Sequence, residues 1–143
     1  MPDRTWEATL DRVLALTVVL GQDMATQLAR EDLNDSRAHI VWELGHHGPM
    51  KQASLADALS VTPRAVTSLV DALAAGDLVT REPHPTDRRV TLVTLTERGE
   101  AVADSFALGH RRLARRLFAD VPSDQLQTFD AVLDHVIARL PRS

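Results

Sequence analysis

Pro83-His84-Pro85-Thr86-Asp87-Arg88-Arg89-Val90-Thr91-Leu92-Val93-Thr94-Leu95-Thr96 reads as two short strands joined by a polar tip that carries Asp87-Arg88-Arg89. Pro83 and Pro85 fix φ and withhold donors, so they suit a projecting loop better than a ladder. Val90, Leu92, Val93 and Leu95 with interleaved threonines give the returning strand. An arginine-tipped hairpin suits a polyanion, an acidic surface or plain solvent, and the flanking sequence has to separate these.

Upstream, Thr62 is placed to cap a helix whose first residue is Pro63, where a missing N–H costs nothing. Val66, Leu69, Val70 and Leu73 form its apolar stripe, and Gly76 ends it. Before it lies a short helix with Leu55, Ala56, Ala58 and Leu59, for which Ser54 is the expected cap, and then a tight break at Ser60-Val61. Two helices joined by a three- to four-residue turn are the helix-turn-helix arrangement, and the hairpin adds a wing. Thr96 caps a further helix running to about Ala119, with Glu97 and Glu100 in its first turn and Gly109 as a weak point. Pro122 and Ser123 start a last helix with Leu126, Phe129, Val132, Leu133, Val136, Ile137 and Leu140 on one face. At the other end, Trp6, Leu10, Val13, Leu14, Leu20, Met24 and Leu28 mark a long amphipathic helix from about Trp6 to Ala29. Asn34, Asp35 and Ser36 offer caps for a second helix, with Ile40, Val41 and Leu44 on its apolar face and Trp42 beside them, which Gly45, Gly48 and Pro49 would end.

The expected fold is mainly α with a small β-hairpin wing: a winged helix-turn-helix flanked by N- and C-terminal dimerisation helices. The outer helices carry more apolar stripe than a small winged-helix core can cover, and a symmetric homodimer would bury it.

Composition narrows the chemistry. The chain has 143 residues, no cysteine and a formal net charge of −4. Thiol catalysis, disulfides and cysteine redox sensing are excluded together. No signal peptide is visible, and the longest apolar run, Val13 to Leu20, falls short of the roughly 20 residues a membrane span needs, so the expected location is cytoplasmic. Between Arg37 and Arg98 there are seven basic and seven acidic residues, so any phosphate contact must come from local placement. Few aromatics and no tyrosine argue against a base-stacking platform for single strands or RNA.

Asp104, Ser105 and His110 do not converge as a catalytic triad on one helix, and no oxyanion hole accompanies them, so an enzyme is not expected. The six histidines show no metal-ligand spacing, and no metal or other cofactor is expected. Arg111, Arg112, Arg115 and Arg116 read as a solvated face or as partners of Asp120, Asp124 or a second chain.

With this organisation in place, the chain resembles the MarR family of winged-helix transcription regulators. The resemblance is carried by Leu73-Ala74-Ala75-Gly76-Asp77-Leu78-Val79-Thr80-Arg81, by Asp87-Arg88-Arg89 and by Leu95-Thr96-Glu97-Arg98-Gly99, at the family's spacing, and the helix order agrees over nearly the whole chain. It implies a single MarR-like domain over 1–143, with dimerisation helices at about 1–33 and 97–143 and a DNA-binding lobe at about 34–96. It also implies a homodimeric repressor of double-stranded operator DNA. Two departures stand out. Asp77 occupies the place of the usual glycine, which predicts a turn shifted by one residue. Ser68 stands where the family often has an arginine, leaving Arg64, one turn earlier, to take over its task.

The expected DNA contacts are therefore Thr62, Arg64, Ala65, Thr67 and Ser68 on the recognition helix and Asp87, Arg88 and Arg89 on the wing. Arg64 suits guanine O6 and N7. Thr62, Thr67 and Ser68 can donate to phosphate or base. The resemblance assigns Arg89 to the minor groove with Asp87 orienting it, and a carboxylate does hold a guanidinium fork by charge-assisted hydrogen bonds. Arg88 and His84, and with less weight Lys51 and Arg37, face phosphate or solvent. The resemblance further implies an effector, a small aromatic or phenolic acid, in a crevice lined by Leu20, Met24, Arg37, Trp42 and His46. The alternative is a winged-helix module that binds proteins and not DNA, which would have no need of arginines at both 64 and 89.

Overall fold

The computed structural model describes residues 2–31 and 33–141. Along the chain come helices α1 (Pro2–Arg30), α2 (Asp35–His47), α3 (Gln52–Leu59) and α4 (Pro63–Ala75), strands β1 (Val79–Pro83) and β2 (Thr91–Leu95), and helices α5 (Glu97–Phe118) and α6 (Ser123–Arg139). The fold is mainly helical with one antiparallel hairpin, in the order the sequence predicts. Two compact units divide the chain, Met1–Asp104 and Ser105–Ser143.

The core of the first unit is made by Ile40, Val41 and Leu44 of α2, Leu55 of α3, Val66, Val70 and Leu73 of α4, and Val79 and Val93 of the hairpin, all of them buried. These are the stripes expected from helical and strand spacing, brought together so that the short helices gain from packing what they lack in length. The hairpin pairs Val79 with Leu95 and ends on Pro83 opposite Thr91. Pro83 is thus the last rung rather than loop, and the His84 N–H donates to the Val90 carbonyl (2.8 Å) to close the ladder beyond it. A ring nitrogen without a proton is tolerated there because β1 has a strand on one side only.

Local chemistry sets the helix ends. Asn34 caps α2 by accepting from the Arg37 N–H (2.9 Å), and Thr62 caps α4 by accepting from the Ala65 N–H (3.1 Å), with Pro63 at the first position. Thr96 caps α5 by accepting from the Gly99 N–H (3.0 Å). Helix α3 corrects the expectation for Ser54, which lies inside the helix. The cap is Lys51, with no side-chain bond. The cause is Met50, whose N–H and carbonyl bridge Val93 (3.1 and 2.7 Å), pinning the chain to the sheet so that the first turn starts at Gln52. Gly45 does not end α2 either. It stays helical, and a Cβ there would come within 2.9 Å of the Ala103 Cβ, so the glycine serves packing. Gly48, at φ 77°, ends the helix. Helix α5 continues through Gly109 without a break.

Both helices of the helix-turn-helix end in a left-handed residue that lets backbone N–H groups reach back to the last carbonyls. In α3 this is Ser60 (φ 55°), followed by the Val61 N–H donating to the Ala56 carbonyl (3.1 Å). In α4 it is Asp77 (φ 60°), with the Asp77 N–H on Ala74 (3.0 Å) and the Leu78 N–H on Leu73 (2.9 Å). Gly76 keeps an ordinary negative φ of −86°, so Asp77 takes the left-handed place itself. The Thr96 hydroxyl donates to the Asp77 carbonyl (2.6 Å), the Thr96 N–H to Leu78 (3.0 Å) and Arg98 Nη1 to the Gly76 carbonyl (3.2 Å). At Gly99 a Cβ would run into the Leu78 carbonyl.

In the second unit the rings of Phe118 and Phe129 lie 6.4 Å apart, and α6 has no buried residue. In α1, Leu28 is the only buried residue among those whose side chains are described.

Two substitutions test the α4–β1 turn by urea or thermal unfolding. Gly99→Ala should cost about 3 kcal/mol, because the obstacle is backbone. Asp77→Gly should add about 1 kcal/mol by relieving a left-handed non-glycine residue.

Candidate nucleic-acid interface

Helix α4 buries Val66, Val70 and Leu73, and its outer row is polar. Thr62, Arg64, Thr67 and Ser68 are exposed and Ala65 is half-buried. The helix therefore presents together all five residues expected to face DNA. Arg64 and Ser68 make no hydrogen bond or ion pair among the described residues.

A polar chain that sequence reasoning missed runs across this face. Arg81 of β1 donates from Nη2 to Asp71 of α4 (2.6 Å) and from Nε to Gln52 Oε1 of α3 (2.9 Å). Gln52 Nε2 donates to Thr67 Oγ1 (3.1 Å), and the Thr67 hydroxyl donates to the Pro63 carbonyl (3.1 Å). The signal available in the sequence was the polar row Arg64, Thr67, Asp71 at helical spacing. Arg81 and Gln52 join it only through the fold. Arg98, also missed, holds the carbonyl end of α4 as described above.

The wing tip is built from its own side chains. His84 Nδ1 accepts from the Thr86 N–H (3.1 Å) and the Asp87 N–H (3.3 Å), so this nitrogen is unprotonated and Nε2 carries the proton. Asp87 accepts from Arg89 three times, from its backbone N–H and Nε onto Oδ1 (both 3.1 Å) and from Nη2 onto Oδ2 (3.3 Å). The fork is fixed while the Arg89 side chain remains 90% exposed. Arg88 is exposed. The side-chain bonds from Arg89, and then its backbone N–H, hold the Asp87 carboxyl below its ordinary value of 3.8.

The residues expected to line an effector crevice are spread over two helices. Trp42 and His46 of α2 stack at 4.7 Å, and Arg37 buries its Nε without a hydrogen-bond partner. On α1, Leu20 is half-buried and Met24 exposed. His46 and His47 face different ways, since His47 and His39 both approach Glu43 (3.3 Å each). Among the described residues no group of three or more His, Asp or Glu side chains is arranged to hold a metal ion. Arg111, Arg112, Arg115 and Arg116 are exposed, and none forms an ion pair among those residues.

Comparison with known proteins matches this lobe. Residues 33–91, from the loop before α2 to the start of β2, fit the model of the MarR family. Over these residues the chain is similar to the MarR family. Proteins of this family are transcriptional regulators, not enzymes. A MarR family protein from Bacillus stearothermophilus has the same fold over 96% of each chain (TM-score 0.78, 18% identity). A variant of S. aureus MepR bound to an oligodeoxyribonucleotide matches over 94% of this chain and 97% of its own (TM-score 0.65, 20% identity). NicR of Pseudomonas putida, an HTH-type transcriptional repressor, is 42% identical over 62 residues, which are 43% of this chain and 39% of NicR. The chain spans 57%, 72% and 39% of the lengths of three curated relatives that it matches, NicR being the third.

The wing pair gives a direct titration test. Arg89→Ala removes the largest cause of the Asp87 shift and leaves the backbone N–H bond. By NMR, the Asp87 carboxyl should titrate below 3.8 in the natural chain and move part of the way back up in the variant. Any stability the pair adds is present above the ordinary carboxylate value and is lost as pH falls through the depressed one.

Proposed function

We propose that this protein is a MarR-family regulator and a homodimeric, sequence-specific repressor of double-stranded DNA, with α4 in the major groove and the wing in the minor groove. The observation that carries the reading is the pairing of two unlike arginines. Arg64 stands free on the outer row of a helix that begins with a capped, N–H-rich turn, and Arg89 is held in a fixed, exposed fork by Asp87. Arg64 would read a guanine edge, and Thr62, Ala65, Thr67 and Ser68 the neighbouring bases or backbone. A narrow A·T-rich minor groove would draw in Arg89, with Arg88 and His84 Nε2 on the flanking phosphates. The oligodeoxyribonucleotide on the MepR variant and the repressor name of NicR favour this over a protein-binding module.

The homodimer is favoured by exposed apolar side chains on the outer helices. They include Trp6, Leu10, Leu14 and Val18 on α1, and Val132, Val136 and Ile137 on α6. An unpaired surface of that kind is an aggregation hazard in a monomer. Two lobes would then meet two half-sites about one helical turn apart. The helices at about 1–33 and 97–143 are dimerisation elements in this reading, and 34–96 is the DNA-binding lobe. Release by a small aromatic acid is favoured by Arg37, whose buried Nε lacks a partner, and by the Trp42–His46 stack on the same helix, with Leu20 and Met24 on α1. A cytoplasmic location fits this role. Among the described residues no helix is long and apolar enough to cross a membrane.

Fluorescence anisotropy with duplexes from around the gene, at two salt concentrations, tests the reading. Arg89→Ala should weaken binding about tenfold and reduce the salt slope by about 1. Arg64→Ala should cost about 1–3 kcal/mol and relax one base position. Binding to no duplex at any salt would leave the protein-binding alternative.

A further inference from the structure

The polar chain on the face of α4 has a direction, and the direction is forced. Arg81 carries donors only. With its Nε 2.9 Å from the Gln52 amide, the amide must turn its oxygen towards Arg81. The nitrogen of Gln52 then faces Thr67 Oγ1 at 3.1 Å, so Thr67 must accept there. Its single proton goes to the Pro63 carbonyl at 3.1 Å. A hydroxyl has one proton and two lone pairs. Thr67 is thus left with one lone pair and no proton to offer.

Thr67 is exposed on the outer row of α4, one turn before Asp71. Phosphate oxygens, guanine O6 and N7 and thymine O4 are all acceptors, and none can bond an acceptor. The major-groove groups that can are the amino groups of adenine N6 and cytosine N4. Arg81 neutralises Asp71 in the same row at 2.6 Å while anchoring the chain of bonds.

We propose that Thr67 reads DNA as an acceptor only, selecting adenine or cytosine on the strand it faces, and that Gln52 is the positioning residue that sets this polarity. The inference rests on α4 lying in the major groove. It narrows the donor role that a threonine hydroxyl would otherwise have at this place.

Sites selected from random duplexes by the full chain, followed by affinities for all four bases at each position, test it. The natural chain should prefer adenine or cytosine over guanine or thymine about three- to tenfold at one position of each half-site, the worth of one hydrogen bond. Thr67→Ser should keep that preference. Thr67→Val and Thr67→Ala should abolish it at that position alone, and Gln52→Leu should reduce it by freeing the hydroxyl to turn. Thermal unfolding of each variant confirms that the lobe is intact. Three results would overturn the inference while leaving the DNA-binding reading standing: a preference for guanine or thymine there, an unchanged preference in Thr67→Val, or a uniform loss across all sequences with a shallower salt slope. Selection of no sequence by the natural chain would overturn both.

Discussion

The backbone of Leu78 fills the space that a side chain on residue 99 would need, and the geometry of the lobe hangs on that contact. Around it, Thr96 bonds Asp77 and Leu78, and Arg98 bonds Gly76. The last turn of α4, the first rung of the wing and the first turn of α5 are therefore tied at one place. A recognition helix and a wing can act on one stretch of DNA only if their separation is fixed before binding. Otherwise the cost of ordering them is subtracted from affinity. Here the fixing uses backbone carbonyls and one missing Cβ rather than large buried side chains.

The electrostatics reinforce the point. The net charge of −4 and the balanced charge between Arg37 and Arg98 give no general attraction to a polyanion. Attraction has to come from a few cations held where a groove would meet them. Asp87 prepays the ordering of Arg89, and His84 prepays the ordering of the loop that presents Asp87. Arg81 does the opposite work on α4, cancelling the one carboxylate on the outer row past Thr67.

Most of the fold was legible because its signals are local. Helical spacing gave the stripes of α1, α2, α4 and α6, while Asn34, Thr62 and Thr96 announced three helix starts. Ser54 misled, because a good capping side chain was overruled by Met50 pairing with Val93, a contact between residues far apart in sequence. Gly45 misled for a similar reason: its neighbour Ala103 lies on a distant helix. Asp77 in place of the usual glycine predicts a shifted turn, yet the short polar side chain tolerates the left-handed region and stays in place. At the site, Asp87 with Arg89 was visible as two residues in one motif. The chain from Asp71 through Arg81 and Gln52 to Thr67 was not, since three elements contribute to it and no periodicity links them.

The central claim is that α4 reads the major groove while Arg89 reads the minor groove. Replacing single A·T pairs of a selected site by inosine·cytosine separates the two. Inosine·cytosine looks like A·T in the minor groove and like G·C in the major groove, because inosine lacks the guanine amino group. At positions beneath the wing, affinity should be unchanged by inosine·cytosine and fall with G·C. At positions beneath α4, inosine·cytosine should weaken binding as much as G·C does. Equal losses from inosine·cytosine and G·C beneath the wing would contradict the account.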